Sequence, residues 1–231
     1  MISIIESSSV SNFPPELTIQ AVRKYFPFNC ISCPAGQLAR RPPLAPEIST
    51  TSLPGEEFEV DFKGPWHNAD GTQVLSISRN KLMFTAVDVH LGFVFTRGTP
   101  NTANPVKHLE KLRLFALKRT GNRLKVIRSD DDFWDESIKE WASRPEIKVS
   151  LLPCIPHEHD RVKRVERMHR TLSEMTNKCL AFKPHLGDPY WELCYKHCAD
   201  LQNIRPKKKL DGKSPFEIYF GKPYEDRKSV V

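Results

Sequence analysis

Val126-Ile127-Arg128-Ser129-Asp130 and Val165-Glu166-Arg167-Met168-His169-Arg170-Thr171-Leu172 are the stretches on which the fold turns. The first is a short apolar run with β-branched residues that ends on a carboxylate, the pattern of a buried strand. The second reads as the opening turns of a basic helix carrying one carboxylate. Thirty-five residues separate Asp130 from Glu166. A third carboxylate, Asp61, closes the alternating run Phe58-Glu59-Val60-Asp61-Phe62, where the pleat puts it on the face opposite Phe58, Val60 and Phe62. Three carboxylates on separate elements of a basic chain point to a divalent-metal site acting on phosphodiesters. Two such ions about 3.5–4 Å apart activate the attacking oxygen and stabilise the leaving one. Magnesium prefers carboxylate oxygens.

Working outward, strands are expected at 58–62, 82–88, 92–96, 124–130 and 148–152. Helices are expected at 102–119, 133–141 and about 160–182. A tight turn makes the second and third strands antiparallel, and strand and helix alternate after them. This order gives an α/β fold, a mixed five-stranded sheet flanked by helices. Downstream, Asp188-Pro189 reads as a helix start, and Ser214 and Gly221 as the cap and stop of a last short helix. Three segments are expected. Residues 1–45 form a truncated N-terminal, partial zinc-binding segment with the start of a linker. Residues 46–185 form the core, and 186–231 a helical extension of it.

The 231 residues carry a formal charge of +7, which favours a polyanionic partner. No apolar run reaches the roughly 18 residues of a membrane span, and the start resembles no signal peptide. The reading is an intracellular protein, and a disulfide framework for its six cysteines is not expected. Cys154, Cys179, Cys194 and Cys198 sit among apolar neighbours and read as buried thiols. Cys30-Ile31-Ser32-Cys33 is half of a tetrahedral zinc site, and no histidine precedes His67 to complete it. Two readings stand for it, a zinc-domain remnant or a loop with two free thiols. Zinc is expected only if the histidine half comes from outside this chain.

At these residues the chain resembles the integrase catalytic core of retroviruses and LTR retrotransposons, most closely the copia type. The resemblance covers about residues 30–223. It is carried by Cys30-x-x-Cys33-x-x-Gly36, Asp61-Phe62-Lys63-Gly64-Pro65, Val87-Asp88, Ile127-Arg128-Ser129-Asp130 and the Val165–Leu172 segment. Tyr190-Trp191, Asn203-Ile204-Arg205-Pro206 and Ser214-Pro215-Phe216-Glu217 continue it. The resemblance implies an RNase H-like fold and a polynucleotidyl transferase that processes element DNA ends and joins them to target DNA with magnesium or manganese. It implies that Asp61, Asp130 and Glu166 are both the catalytic triad and the metal ligands, with Asp88 in a supporting or structural role. DNA and a second copy of the chain are the implied partners, and the nucleus the implied place of action.

Two departures bear on activity. Asp131-Asp132-Phe133 replaces a glycine-containing turn of the family, and Arg161-Val162-Lys163-Arg164 replaces its Gln-Asn-Gly. A catalytically decayed or co-opted DNA-binding protein is therefore the alternative reading. Lys163, Arg164, Arg167 and Arg170 spread positive charge along the helix that carries Glu166. Arg170 lies about 40° around the axis from Glu166. These residues suit backbone contacts to DNA; a solvated basic helix is the plainer alternative.

Overall fold

The computed structural model describes residues 10, 11, 53–68, 70–130, 133–153, 164–182, 185 and 187–225. In chain order the strands are β1 (Val10–Ser11), β2 (Glu57–Lys63), β3 (Leu82–Asp88), β4 (Val94–Thr99), β5 (Val126–Ser129), β6 (Ser150–Pro153) and β7 (Tyr224–Glu225). The α-helices are α1 (Pro105–Thr120), α2 (Glu136–Ser143), α3 (Arg164–Phe182), α4 (Trp191–Ile204) and α5 (Pro215–Phe220). The described residues fall into two compact units, one running from 53 to 200, the other from 201 to 225 with Val10 and Ser11.

The larger unit is built on a five-stranded sheet of order β4-β3-β2-β5-β6. β2, β3 and β4 form an antiparallel meander, while β2, β5 and β6 pair in parallel. This is the mixed sheet expected from the order of elements. Helices cover both faces. On one face, Phe58, Phe84, Ala86 and Ile127 meet Leu109, Leu112 and Ala116 of α1, all fully buried. Each such Leu, Ile or Phe contributes roughly 1.5–3 kcal/mol. α2 joins α1 on this side, with Trp141 Nε1 donating to Glu110 Oε2 at 3.1 Å. On the other face Met83 and Val94 pack with Leu172 of α3 and with Trp191, Tyr195, Cys198 and Ala199 of α4.

The helix ends follow local chemistry. Asn104 caps α1 by accepting the Lys107 N–H, so the helix starts at Pro105, later than the sequence suggests. Gly121 ends it in a left-handed conformation with φ 74°. At the start of α4 a 3-10 turn over Asp188–Tyr190 precedes the helix. Its cap is Gly187, not Asp188, because Pro189 falls in the first turn of that tighter helix. Cys194 and Cys198 are buried, as read from their neighbours, whereas Cys179 is only half-buried; His197 is exposed. Cys154 lies outside the described residues.

In the smaller unit α5 has the expected start and stop. Ser214 Oγ accepts the Glu217 N–H, and Glu217 Oε2 accepts the Ser214 N–H at 2.6 Å. Gly221 follows as its left-handed cap. β1 and β7 pair in parallel, Val10 opposite Tyr224.

Candidate catalytic site

β2 carries Asp61, and β5 ends one residue before Asp130. Their parallel register pairs Phe58 with Ile127 and Glu59 with Arg128. Ser129 Oγ donates to the Val60 carbonyl at 2.7 Å, which continues the alignment. β5 ends at Ser129, so Asp130 follows the strand directly, and continuing the register by two rungs would bring it opposite Asp61. By the period-two alternation both belong to the face that carries Glu57, Glu59 and Arg128. The Phe133 N–H donates to the Asp130 carbonyl at 3.0 Å. Phe133 folds back to stack on Phe62, ring centroids 5.5 Å apart. That contact ties the turn after one aspartate to the strand end that bears the other.

α3 crosses this face. The Val165 N–H donates to Glu59 Oε2 at 3.2 Å, and one turn later His169 Nε2 lies 3.5 Å from Asp61 Oδ2. Four helical residues advance about 6 Å and two strand residues about 6.6 Å, so α3 runs alongside β2 in the same direction. Glu166 sits in the first turn of α3 and is exposed, as is Asp130. The Asp61 side chain keeps 41% of its surface exposed, and its Oδ1 accepts the Phe62 N–H at 2.7 Å.

The three donors are all carboxylate oxygens, a set suited in kind to a hard divalent cation. Among the described residues, no group of three or more His, Cys, Asp and Glu side chains stands close enough to hold an ion. Asp61, Asp130 and Glu166 therefore do not form such a group among the described residues. Asp88 is fully buried and away from this strand end: its carboxylate accepts the Gly55 N–H at 2.7 Å and the Leu91 N–H at 2.6 Å. It fastens the lead-in to β2 onto the β3–β4 turn, a structural role.

Of the basic residues, Arg167 and Arg170 are exposed. Arg164 is half-buried and pairs with Glu59, Nε to Oε1 3.7 Å. Lys163, Asp131 and Asp132, the zinc half-site Cys30 and Cys33, and His157 and His159 lie outside the described residues.

Sequence reasoning missed the inner layer of the site. Glu57, Glu59 and Asp61 alternate on one face, and the first two are buried. Arg128 pairs with Glu57 at 2.5 Å and Arg164 with Glu59. His169, also buried, faces Asp61 on one side and hydrogen bonds with Tyr195 on the other, Nδ1 to Oη 2.8 Å. Nothing in the sequence marked these partners: alternation puts Glu57 and Glu59 on the face of Asp61, which reads as solvent-facing, and His169 stands among basic residues.

Comparison with solved structures now has a geometry to meet. A chain in the cryo-EM structure of the simian T-cell lymphotropic virus intasome is similar over 78% of this chain at 16% identity, TM-score 0.55. This chain spans 60% of the length of that one. The HTLV-2 integrase catalytic core domain in complex with magnesium matches over 72% of this chain and 97% of its own. In its trimeric form the identity is 16% and the TM-score 0.50; in its dimeric form they are 15% and 0.51. The fold is that of a retroviral integrase catalytic core. At these identities the likeness is one of fold, and it agrees with the RNase H-like architecture expected from the sequence. No family model matches the chain, and no curated protein does.

Proposed function

We propose that this chain is the catalytic core of an LTR-retrotransposon integrase, of the copia type, which processes element DNA ends and joins them to target DNA. The observation that supports this reading is the β2–β5 register, whose continuation past Glu59 and Arg128 would bring Asp130 opposite Asp61 on the face that α3 crosses with Glu166 in its first turn. Asp61, Asp130 and Glu166 would hold magnesium or manganese. When bound, the ions activate the attacking water or hydroxyl and stabilise the leaving oxygen. The chain's own contribution is placement. Pairing of β2 with β3 fixes Asp61, and Glu59 anchors the helix that bears Glu166. Exposed Arg167 and Arg170, together with Lys163 just before them in sequence, would hold the DNA backbone without reading bases, while Arg164 is tied to Glu59. The chain would act as a homo-oligomer, in the nucleus where the host cell is eukaryotic. Zinc would enter only with a histidine half supplied to Cys30 and Cys33 from outside this chain.

A second reading has its own support. The three carboxylates do not form a close group among the described residues, and both turns beside them depart from the family pattern. A decayed or co-opted DNA-binding protein would keep the fold and the basic helix and lose the chemistry.

Strand transfer on oligonucleotide ends with manganese separates the two. The integrase reading expects joined products from the intact chain, none from Glu166→Gln, and equal DNA binding by both. DNA binding without joining by the intact chain would establish the second reading instead.

A further inference from the structure

We propose that Cys179 and Cys198 form an oxidation site, at which hydrogen peroxide converts two thiols into a disulfide that staples α3 to α4. Neither DNA nor metal enters, so the site stands whether or not the chain is an integrase.

The two sulfurs are already in contact. Cys179 lies near the end of α3 and Cys198 in the middle of α4, with their Sγ atoms 3.8 Å apart. A disulfide holds its sulfurs about 2.05 Å apart, so the side chains have less than about 2 Å left to close. Both residues belong to the larger unit. There α3 and α4 share an apolar cluster that includes Leu172, Trp191, Tyr195 and Cys198, with Cys179 packed against it. Cys194, one turn earlier on α4 and also buried, is the competing partner.

Thiols in a core are commonly packing and nothing more. What separates this pair is unequal access. Cys179 is half-buried, whereas Cys198 is 0% exposed. Burial, and then the sulfur of Cys179 alongside, push the Cys198 thiol up to about 12. Cys198 therefore keeps its proton at neutral pH and meets no oxidant from solvent. Cys179 is the sulfur that a small peroxide reaches. Access thus assigns the roles: Cys179 is oxidised first, and Cys198 resolves.

The Cys179 thiolate attacks one oxygen of hydrogen peroxide. The O–O bond breaks, leaving a sulfenic acid on Cys179 and a hydroxide that takes up the proton Cys179 released. The Cys198 sulfur then attacks the sulfenic sulfur. The S–S bond forms and the S–O bond breaks. The departing hydroxide takes the Cys198 proton and leaves as water. Two thiols have lost two hydrogens, and one peroxide has become two waters. A dithiol reductant reverses the change by exchange. The bond joins positions 19 apart in sequence and holds the second half of α3 against α4. A cross-link of this kind limits how far the two helices open.

Peptide mapping by mass spectrometry, on the full chain treated with hydrogen peroxide at high dilution, tests this. Cys179 and Cys198 should be recovered as one linked pair, ahead of any pair with Cys194, and dithiothreitol should return both thiols. Amide exchange across 176–182 and 195–200 should slow about tenfold or more in the oxidised protein and recover on reduction. Cys198→Ala should leave Cys179 as a sulfenic acid that dimedone captures. Cys179→Ser, at the half-buried position, should leave Cys198 reduced, and it serves if thermal unfolding shows that Cys198→Ala is not folded. A link from Cys179 to Cys194 overturns the proposal. So does a Cys179 carried to sulfinic acid while Cys198 stays a thiol, or a wild-type chain in which both thiols survive peroxide. A Cys179–Cys198 link with unchanged exchange overturns the staple.

Discussion

The backbone N–H of Val165 donates to the carboxylate of Glu59 at 3.2 Å, joining residues 106 positions apart. It is one of the first N–H groups of α3, which no carbonyl within the helix can satisfy. A carboxylate at a helix start also meets the positive end of the helix dipole. Glu59 is therefore the fixed point from which α3 is laid across the sheet. Glu59→Ala should destabilise the larger unit by about 1–3 kcal/mol, since it leaves a buried donor and Arg164 without their acceptor. Glu59→Gln should cost less, because an acceptor oxygen remains. Urea unfolding measures both. Amide exchange should accelerate first at Val165 and Glu166 in the alanine variant; unchanged protection there would show that something else holds the helix start.

His108 makes stability depend on pH. It lies on α1 and stacks on Phe84 with centroids 5.2 Å apart, 6% exposed. Burial first, then Arg97, Lys107 and Lys111, hold its pKa down at about 4, against 6.5 for a free histidine. The folded state thus binds fewer protons than the unfolded chain between those values. Its contribution is complete above pH 6.5 and is lost as the pH falls toward 4, by about 3 kcal/mol at most. His108→Leu should flatten the stability profile across that window while leaving stability near pH 8 within about 1.5 kcal/mol of wild type. An unaltered profile would assign the acid sensitivity to other groups.

Gly98 marks where β4 makes room for a buried acid. A Cβ there would collide with the Glu192 carboxylate and the Asn80 amide. Glu192 is 2% exposed and accepts from Ser76 Oγ at 2.6 Å and Asn80 Nδ2 at 2.9 Å, with Lys196 as its ion pair. Gly98→Ala should therefore cost about 1–3 kcal/mol. The double variant Gly98→Ala, Glu192→Ala should lose less than the sum of the two, because the second change removes the clash made by the first. Additive losses in thermal or urea unfolding would mean that Gly98 is needed for a different reason.

How much of this was legible beforehand depends on what each element had to bury. β3 was read to the residue because Leu82–Asp88 is a near-continuous apolar run with one strand length to fill. The strands around Asp61 and before Asp130 were legible because an apolar run interrupted or ended by a carboxylate stands out against its neighbours. Glu59 and His169 were not, since alternation marks Glu59 as solvent-facing and one histidine in a basic helix looks like any other. Both are buried because α3 returns over β2 after more than a hundred residues, and pairing at that separation leaves no local trace. The start of α1 shifted for a smaller reason: Asn104 satisfies a free N–H better than the residues before it.

The basic residues of α3 divide into two kinds, and salt should tell them apart. Arg167 and Arg170 are exposed, whereas Arg164 faces Glu59 with its side chain 22% exposed. A side chain in contact with phosphate releases condensed counterions, and each lost contact lowers the slope of log affinity against log salt by about 0.9 on duplex DNA. Arg167→Ala with Arg170→Ala should weaken binding to any duplex and reduce that slope by about two, with stability within about 0.5 kcal/mol of wild type. Arg164→Ala should do the reverse, lowering stability through its tie to Glu59 and moving the slope by less than one. Fluorescence anisotropy over a salt series, set beside urea unfolding of the same proteins, reads both effects. An unchanged slope in the double variant would make this a solvated helix face and move the search for the DNA surface elsewhere on the chain.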